Sequence, residues 1–414
     1  MCFSYCARTF FPEEIFEKEI FGRQVCKNYL LGFYKKVIAA KGTDDSVIEV
    51  AQNGGVVSSL LIHALKTGLV DGILLTDKDE KWFPKPVIAR TSDEILACAG
   101  SKYTIAPTLL TYGDAIREYK LEKLAFVGLP CQIHAVRKLQ LYPPLSEKFG
   151  KFKLIIGLYC LSNFSYDSLK NMIQEKFRIS ISDVRKFDIS NGTLIVYTND
   201  GMINELPIKE TKAYKWPSCQ YCKDYTAELA DISVGNVGAP ANDWSSIIIR
   251  TDIGLQLFKD AIKSKKLITS NKIDISRIKK DSMRKKSQIT RVDEKIMSAM
   301  QLLSVSDFEA KTYAILISLR YANVSMLQKV MKAEKQDIIN ALNILKQREW
   351  VVANNEIYSS VNPARVIKSE ISKLRKNFEK KINTLKSEVL MNLGTLFVQN
   401  NFKNIGYKEF MDLI

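Results

Sequence analysis

Residues 123–140, KLAFVGLPCQIHAVRKLQ, place a short apolar run directly before a stretch in which apolar side chains recur at helical spacing. Residues 151–177 repeat this order, with the apolar run KFKLIIGLYC ahead of YDSLKNMIQEKF. Buried strands that alternate with helices are typical of an α/β layer whose central strands run parallel. We therefore predict an α/β fold for this part of the chain.

A second pattern follows in DVRKFDIS and TLIVYTNDGMINELPI, at residues 183–190 and 193–208. Both segments favour strands, and NDG at residues 199–201, inside the second segment, is a hairpin turn sequence. We expect an antiparallel patch here, which makes the domain mixed α+β.

The charge of the chain is uneven. Of 414 residues with a formal net charge of +16, residues 1–260 hold 32 Lys and Arg against 30 Asp and Glu, whereas residues 261–414 hold 29 against 15. This asymmetry indicates two modules, the second suited to a polyanion. A solvated lysine-rich surface would give the same count.

No apolar run approaches the roughly 18 to 20 residues of a membrane span. The N-terminus carries acidic residues early and lacks the basic and apolar segments of a secretory signal. We predict no membrane span and a cytoplasmic protein. In that compartment eight cysteines favour reduced thiols, metal ligands or catalysis over disulfides.

Residues 306–361 have the pattern of three helices and a short hairpin. The first helix has its N-cap at Ser306, the others span about 324–331 and 335–349, and NNE at 354–356 forms the wing. This order resembles the winged helix-turn-helix domain of TrmB-like archaeal regulators. The third helix of such a domain enters the major groove of DNA, which nominates Lys335, Gln336, Asn340, Asn343 and Lys346 as contacts to double-stranded DNA. Winged helices also dock proteins, so that alternative stays open.

An apolar stripe continues along the last predicted helix. Its members lie four or three residues apart: Ile367, Ile371, Leu374, Phe378, Ile382, Leu385 and Val389. Their 11-residue period is close to that of an unperturbed helix. A long amphipathic helix of this kind usually meets another helix, so we predict a homodimer formed through this arm, with packing on its own domain as the alternative.

PSCQYCKDY, residues 217–225, contains two thiols at the spacing of a zinc knuckle, a redox dithiol or half of an iron–sulfur site. Two further thiols, Cys131 and Cys160, follow predicted neighbouring strands, whose carboxyl ends meet at one edge of a parallel sheet. Four thiolates from three segments suit a [4Fe–4S] cube. Ordinary buried thiols remain the alternative for Cys131 and Cys160.

Several motifs together resemble the β subunit of coenzyme F420-reducing hydrogenase and its dehydrogenase relatives. They are AQNGGVVSSLLIHALKTGLVDGILL, AGSKYTIAP, GLPCQIHAVRKLQ, LIIGLYCLSNFSYDSL and CQYCKDYTAELADISVGNVGAPANDWSSIIIRT, and they cover about residues 34–265. The resemblance implies FAD, one [4Fe–4S] cluster and hydride exchange with F420. Carried over motif by motif, it implies that the cluster ligands are Cys131, Cys160, Cys219 and Cys222.

The same resemblance directs attention to polar and glycine residues that could hold FAD. A glycine turn before a helix N-terminus suits a pyrophosphate, a compact polar group suits the phosphate or the ring oxygens, and an amide beside Cys160 suits a flavin edge. The predicted residues are Asn53, Gly54, Gly55, Ser58, Ser59, Ser101, Lys102, Tyr103, Thr104 and Asn163. We expect Gly235, Gly238 and Arg250 to line the F420 pocket, where the arginine would meet the acidic tail of F420.

These motifs predict an oxidoreductase in which a flavin joins hydride transfer to one-electron transfer, with a partner protein as the electron donor or acceptor. No catalytic side chain is expected, and we interpret His134 as a packed helix residue. The alternative function is a redox- or F420-responsive DNA-binding transcriptional regulator. Cys2, Cys6 and Cys26 lack the spacing of further cluster motifs.

The predicted organisation is an α/β flavin and iron–sulfur domain with a C-terminal winged helix-turn-helix and a long amphipathic helix. Its segments are an N-terminal extension (1–33), the F420 hydrogenase β-subunit-like domain (34–270), a basic linker (271–294), the winged helix (295–362) and the helical arm (363–414).

Overall fold

The computed structural model describes residues 13–22, 30–141, 150–287, 294–319 and 321–401. Cys2, Cys6 and Cys26 lie outside these ranges. The chain separates into two compact units, Met1–Arg291 and Val292–Ile414, here called unit 1 and unit 2.

Unit 1 is built on an eight-stranded mixed sheet in the order β11-β1-β10-β9-β5-β4-β2-β3. The four central strands β9, β5, β4 and β2 run parallel, and antiparallel strands flank them on both sides. The strands are β1 (Lys36–Gly42), β2 (Gly72–Lys78), β3 (Pro84–Ala89), β4 (Leu124–Gly128), β5 (Phe152–Leu158), β9 (Ile232–Gly235), β10 (Ser245–Ile249) and β11 (Leu267–Ser270). The parallel α/β layer expected from residues 123–177 is therefore confirmed.

Helices cover both faces of this sheet, and one further helix of unit 1 packs elsewhere. The helices are α1 (Glu13–Phe21), α2 (Asp45–Val50), α3 (Val56–Lys66), α4 (Ser92–Ala97), α5 (Tyr112–Arg117), α6 (Pro130–Leu141), α7 (Tyr166–Phe177), α8 (Asp252–Lys263) and α9 (Ile275–Ser287). The one that packs elsewhere is α7. One face packs α3, α4 and α8 onto the strands, through residues such as Leu60, Ile95 and Phe258. The other packs α5 and α6, through Tyr112 and Ile133 among others. The apolar side chains of the strands are thus buried on both sides, as a parallel sheet requires.

A separate antiparallel sheet forms from β6 (Val184–Ser190), β7 (Thr193–Thr198) and β8 (Ile203–Pro207). NDG at 199–201 joins β7 to β8, with Gly201 at a positive φ of 90° that a side chain would strain. Phe187, Leu194 and Val196 bury the inner face of this sheet against α7. The predicted antiparallel patch is present.

Part of the predicted basic linker is instead helix α9, which packs on unit 1. Ile278 and Ser282 are buried, and so are Lys285 and Lys286. These side chains share one helical face because they lie three or four residues apart. The sequence suggested a solvated segment because lysine is rarely buried, but both ammonium groups have acceptors inside unit 1.

Unit 2 contains the helices and the hairpin expected from residues 306–361, followed by the arm. Its elements are α10 (Glu294–Gln301), α11 (Asp307–Leu319), β12 (Tyr321–Ala322), α12 (Val324–Met331), α13 (Lys335–Gln347), β13 (Val351–Asn354), β14 (Ile357–Ser360), α14 (Pro363–Thr384), one π-helical turn (Leu385–Leu390) and α15 (Met391–Asn401). Strands pair in the order β12-β14-β13. Trp350, fully buried, and Leu342 anchor its core.

The side chains of the predicted arm stripe are exposed in this chain except for Ile382, which is partly buried. Ile371, Leu374 and Phe378 are 51%, 46% and 65% exposed. Within the described ranges, no helix is both long enough and apolar enough to cross a membrane.

Candidate redox site

Strands β4 and β5 are parallel neighbours, so their carboxyl ends lie at the same edge of the sheet. Cys131 is in the first turn of α6, which begins two residues after β4. Cys160 lies two residues after the end of β5. The topology therefore delivers both thiols to one edge, as a parallel sheet does for its ligands.

The segment with the paired cysteines is attached to the loop that carries Cys160. A short 3-10 helix, Pro217–Tyr221, contains Cys219. Just before it, the backbone N–H of Trp216 donates to the carbonyl of Asn163 at 2.8 Å, and Lys215 forms an antiparallel bridge with Phe164. These bonds hold the CxxC segment against residues 160–164.

Electrostatics shows that the four thiols share one neighbourhood. Burial raises the pKa of the Cys160 thiol, and the nearby Cys131, Cys222 and Cys219 raise it further. Lys285 acts in the opposite direction and lowers the pKa of Cys160. The other three thiols therefore lie within electrostatic range of Cys160, whose own surroundings are poorly solvated.

Across the described ranges, no group of three or more His, Cys, Asp or Glu side chains is placed to hold a metal ion. The ligands of a single metal ion crowd around one atom. The four thiolates of an iron–sulfur cube each bind a different iron atom and stand farther apart. The assignment of Cys131, Cys160, Cys219 and Cys222 as cluster ligands stays a prediction.

One backbone donor points at a sulfur atom, since the N–H of Asn163 donates to Cys219 Sγ at 3.4 Å. At Cys222 the thiol is itself the donor, to the carbonyl of Asp224 at 3.6 Å. Bonds from N–H to sulfur stabilise thiolates and shift cluster potentials. The Asn163 side chain is buried and its Oδ1 accepts from the N–H of Phe164, so this oxygen has a partner within the chain.

Lys285, which sequence reasoning missed, lies beside the thiols. It is almost fully buried, and its ammonium donates to the carbonyls of Leu161 and, at 3.2 Å, Cys219. One cation thus joins the two cysteine-bearing loops. The spacing of the two apolar residues Ile275 and Ile278 was the available signal that this helix has a buried face.

A buried ionic network lies behind the site. His134 Nε2 is 3.1 Å from Asp224 Oδ2, which also accepts from the N–H of Glu228 at 2.9 Å. Glu228 in turn pairs with Lys286. Burial alone would raise the pKa of Asp224, but His134 and Lys286 hold it below its usual value. His134 therefore fixes Asp224 in place.

The glycine turn predicted to bind FAD precedes α3. Gly55 is the N-cap with a positive φ of 65°, and Gly54 lies where a Cβ would meet Ser245 N at 2.9 Å and Ala40 O at 3.0 Å. Asn53 Nδ2 donates to the carbonyl of Asn242 at 3.0 Å. The turn therefore fits tightly against β1 and β10.

Gln52, also missed, joins this turn to two other parts of unit 1. Its Oε1 accepts from the N–H of Ser101 at 3.1 Å, and its Nε2 donates to Phe187 O at 3.1 Å and Asp188 Oδ1 at 3.0 Å. The predicted FAD residues 53–59 and 101–104 are thus brought together by one amide. A lone glutamine carries no sequence signal for such a role.

Two hydroxyls in these segments are candidates for ligand contact. Ser59 and Thr104 are buried, and within the described structure Ser59 Oγ and Thr104 Oγ1 have no hydrogen-bond partner. Buried polar atoms are nearly always satisfied, so such atoms point to a missing partner. Ser58 is partly exposed next to them.

Lys102 and Tyr103 differ from expectation in their contacts. The Lys102 ammonium donates to three carbonyls at the end of α4, those of Cys98, Ala99 and Gly100. Burial lowers its pKa to about 8. Tyr103 has a positive φ of 55° and packs edge-on against Phe187. The positive charge of Lys102 can therefore act on a flavin through space. Its ammonium N–H groups are already bonded to the carbonyls that follow α4.

The residues predicted to line an F420 pocket have internal roles instead. A Cβ on Gly235 would meet the Tyr159 ring at 2.1 Å, and one on Gly238 would meet Asp274 O at 2.5 Å. Both glycines are required by packing within the chain.

Arg250 is fully buried. Its guanidinium donates to acceptors on three other segments: Ser233 Oγ (2.8 Å), Leu31 O (2.6 Å), Phe33 O (2.8 Å), Thr226 O (3.1 Å) and Thr226 Oγ1 (3.0 Å). All five N–H donors are consumed. The prediction that Arg250 meets the tail of F420 is contradicted by these contacts.

In unit 2, the residues nominated for DNA contact lie on helix α13. Lys335, Gln336, Asn340, Asn343 and Lys346 are all exposed. The opposite face of α13, with Ile338, Leu342 and Leu345, packs into the core.

Comparison with known proteins gives a consistent result. Residues 37–111 and 121–275 match the N-terminal and C-terminal parts of the family described as coenzyme F420 hydrogenase/dehydrogenase, beta subunit. Unit 2 lies beyond both matches.

Individual proteins similar to this chain have names that fit the matched family. The chain is 43% identical over 238 residues to the coenzyme F420 hydrogenase subunit beta of Methanothermobacter thermautotrophicus, which covers 57% of this chain and 84% of that protein. Identity is 38% over 275 residues to the coenzyme F420-dependent sulfite reductase of Methanocaldococcus jannaschii, covering 61% of this chain and 42% of that protein.

A chain of the F420-reducing [NiFe] hydrogenase complex of Methanosarcina barkeri has a similar structure. The TM-score is 0.62 at 34% identity, over 65% of this chain and 94% of that one. The mixed sheet, the residues matched and these identities together show that the chain belongs to the coenzyme F420 hydrogenase/dehydrogenase beta-subunit family.

Proposed function

We propose that this chain is an oxidoreductase that exchanges hydride with coenzyme F420 and exchanges electrons with a partner protein through FAD and one [4Fe–4S] cluster. The observation that carries the proposal is the position of residues 160–164. On one side Ile105 N–H donates to Phe164 O at 3.0 Å, and on the other Trp216 N–H donates to Asn163 O at 2.8 Å. The segments expected to hold the flavin and the cluster are therefore bonded to the same loop.

The residues around the thiols fit an iron–sulfur cluster. Cys131, Cys160, Cys219 and Cys222 would supply the four thiolates, and soft thiolate sulfur is the ligand such clusters require. Lys285 offsets their negative charge, because its ammonium lies against both loops. The N–H of Asn163 stabilises the sulfur of Cys219.

The residues of the glycine turn fit the phosphates of FAD. Backbone N–H groups at the start of α3 would face the pyrophosphate, and Ser59 and Thr104 would use their unsatisfied hydroxyls. Lys102 adds a positive charge that favours a reduced, anionic flavin. When bound, FAD takes up electrons in pairs as hydride and gives them up singly.

Anaerobic purification followed by iron, sulfide and flavin analysis tests this proposal. Cys160→Ser should lose most of its iron and sulfide, whereas Cys98→Ser should retain them. Cys98 is a suitable control because it is also a partly buried thiol but lies outside the four-cysteine group. Full iron content in Cys160→Ser would contradict the assignment of Cys160 as a cluster ligand.

Activity is tested separately by the absorbance of F420 with an artificial electron carrier. We expect the wild-type chain to oxidise reduced F420. A chain that binds FAD and the cluster but does not oxidise F420 would contradict the proposed enzymatic activity.

Unit 2 has the helix and strand order of a winged helix, and we propose that fold for it. The contacts of α13 with DNA remain a prediction, which duplex binding as a function of salt concentration tests. A regulatory function is not proposed.

A further inference from the structure

Two aromatic side chains are exposed next to the paired cysteines. Trp216 is 40% exposed just before the 3-10 helix, and Tyr221 is 65% exposed between Cys219 and Cys222. Aromatic side chains are enriched in protein interfaces because they bury a large area for little loss of conformational freedom. Their position makes the surface over the CxxC segment suitable for a partner.

Several cations lie in the same part of unit 1 as these rings. Lys212 and Lys215 belong to the same segment, and Arg284 extends from α9. Burial and then repulsion from Arg284, Lys212 and Lys285 lower the pKa of Lys215. These cations are therefore close enough to destabilise one another.

Few acidic side chains neutralise these cations. Asp281 lies 3.4 Å from Arg284, and Glu210 pairs with Lys176 at 3.3 Å. Within the described ranges, Lys212 and Lys215 form no ion pair. A negatively charged partner would relieve the repulsion, whereas a neutral one would not.

We propose that the docking face, defined by Lys212, Lys215, Trp216, Tyr221 and Arg284, binds an acidic electron-transfer protein. The proposal rests on the proposed function, since it makes this face the route between the thiolate site and the partner. Both cysteines of the CxxC segment are partly exposed beneath it. In the direction of F420 reduction, two one-electron carriers are each oxidised by one electron. F420 gains those two electrons and two protons from water.

The test uses the full chain and an acidic two-cluster ferredoxin as the probe. Binding of oxidised ferredoxin is measured by calorimetry at low and high salt, for the wild type and for Lys212→Glu/Lys215→Glu. Lys259→Glu/Lys263→Glu, which reverses two exposed lysines of α8, is the matched control. Trp216→Ala tests the aromatic part without changing the charge.

We expect the wild type and the control to bind, with affinity that falls as salt rises. Charge reversal should weaken binding about tenfold or more, and Trp216→Ala should weaken it at every salt concentration. Binding that is unaffected by charge reversal, or absent in the wild type at low salt, overturns the proposal. A higher KM for F420 with unchanged ferredoxin binding also overturns it, because the face would then serve the acidic tail of F420.

A turnover measurement separates this proposal from the proposed function. F420 reduction is followed with reduced ferredoxin and with reduced methyl viologen, a small cation. If neither donor reduces F420 but charge reversal still abolishes ferredoxin binding, the docking face stands and the enzymatic proposal fails. If charge reversal slows the ferredoxin reaction alone, both stand.

Discussion

Replacement of Arg250 by lysine distinguishes a structural arginine from one that binds F420. Lysine has three donors, so at least two of the five buried hydrogen bonds must be lost. At about 1.5 to 3 kcal/mol for a bond to a charged group, Arg250→Lys should lower the free energy of unfolding by about 3 to 6 kcal/mol. A change of this size lowers Tm by on the order of 10 °C.

Scanning calorimetry measures this shift, and the KM for F420 is measured below the unfolding transition. Arg90→Lys is the control, because Arg90 is exposed and its replacement should change stability by less than about 0.5 kcal/mol. We expect an unchanged KM in Arg250→Lys. A Tm within about 2 °C of wild type, combined with a several-fold higher KM, would refute the structural interpretation and restore contact with F420.

Three further predictions address other parts of the chain. The pKa of Lys102 is about 8 in the folded chain and 10.5 in the unfolded chain. Between these pH values the unfolded chain binds more protons than the folded chain, so the stability of the wild type should rise with pH there. Lys102→Met, in thermal melts from pH 7 to 10, should lack this increase. Lys285→Met removes a positive charge beside the thiols and should lower the cluster midpoint potential in EPR-monitored titrations by roughly 60 mV, about 1.4 kcal/mol for one electron. Lys285→Arg keeps the charge and should stay near wild type. Equal potentials in the wild type and both variants would exclude an electrostatic role for Lys285. Phe378→Glu should yield a smaller species than wild type in sedimentation velocity if the arm forms a homodimer, whereas Lys380→Glu should not; a monomeric wild type would contradict the dimer.

The backbone of unit 1 was largely predictable because its signals are local. Apolar runs bounded by turn residues gave β4 and β5, and the helical spacing after them gave α6 and α7. The chain order of strand and helix then implied parallel neighbours. Convergence of Cys131 and Cys160 at one edge follows from that topology alone.

The residues that join distant segments were not predictable. Gln52 and Lys285 act through hydrogen bonds to backbone groups far away in the sequence. Nothing around Gln52 marks it, and the spacing around Lys285 indicates only a buried helix face, not the thiols beside it. Arg250 was misinterpreted for the same reason. A basic residue near a glycine-rich loop suggests an anion site, but whether its donors are already occupied is decided by Leu31, Phe33 and Thr226.

The loop of residues 160–164 is bonded on both sides, to residues 103–105 and to the CxxC segment. Thermal motion of either neighbour is therefore passed to the same five residues of backbone, and the two sides move together. In the function proposed above, electrons would pass between carriers held on the two sides of this loop. The probability of electron tunnelling falls steeply as a gap widens, so attachment to one loop would keep the distance between the two carriers constant. A loop insertion between residues 160 and 164 would uncouple the two sides without removing any ligand.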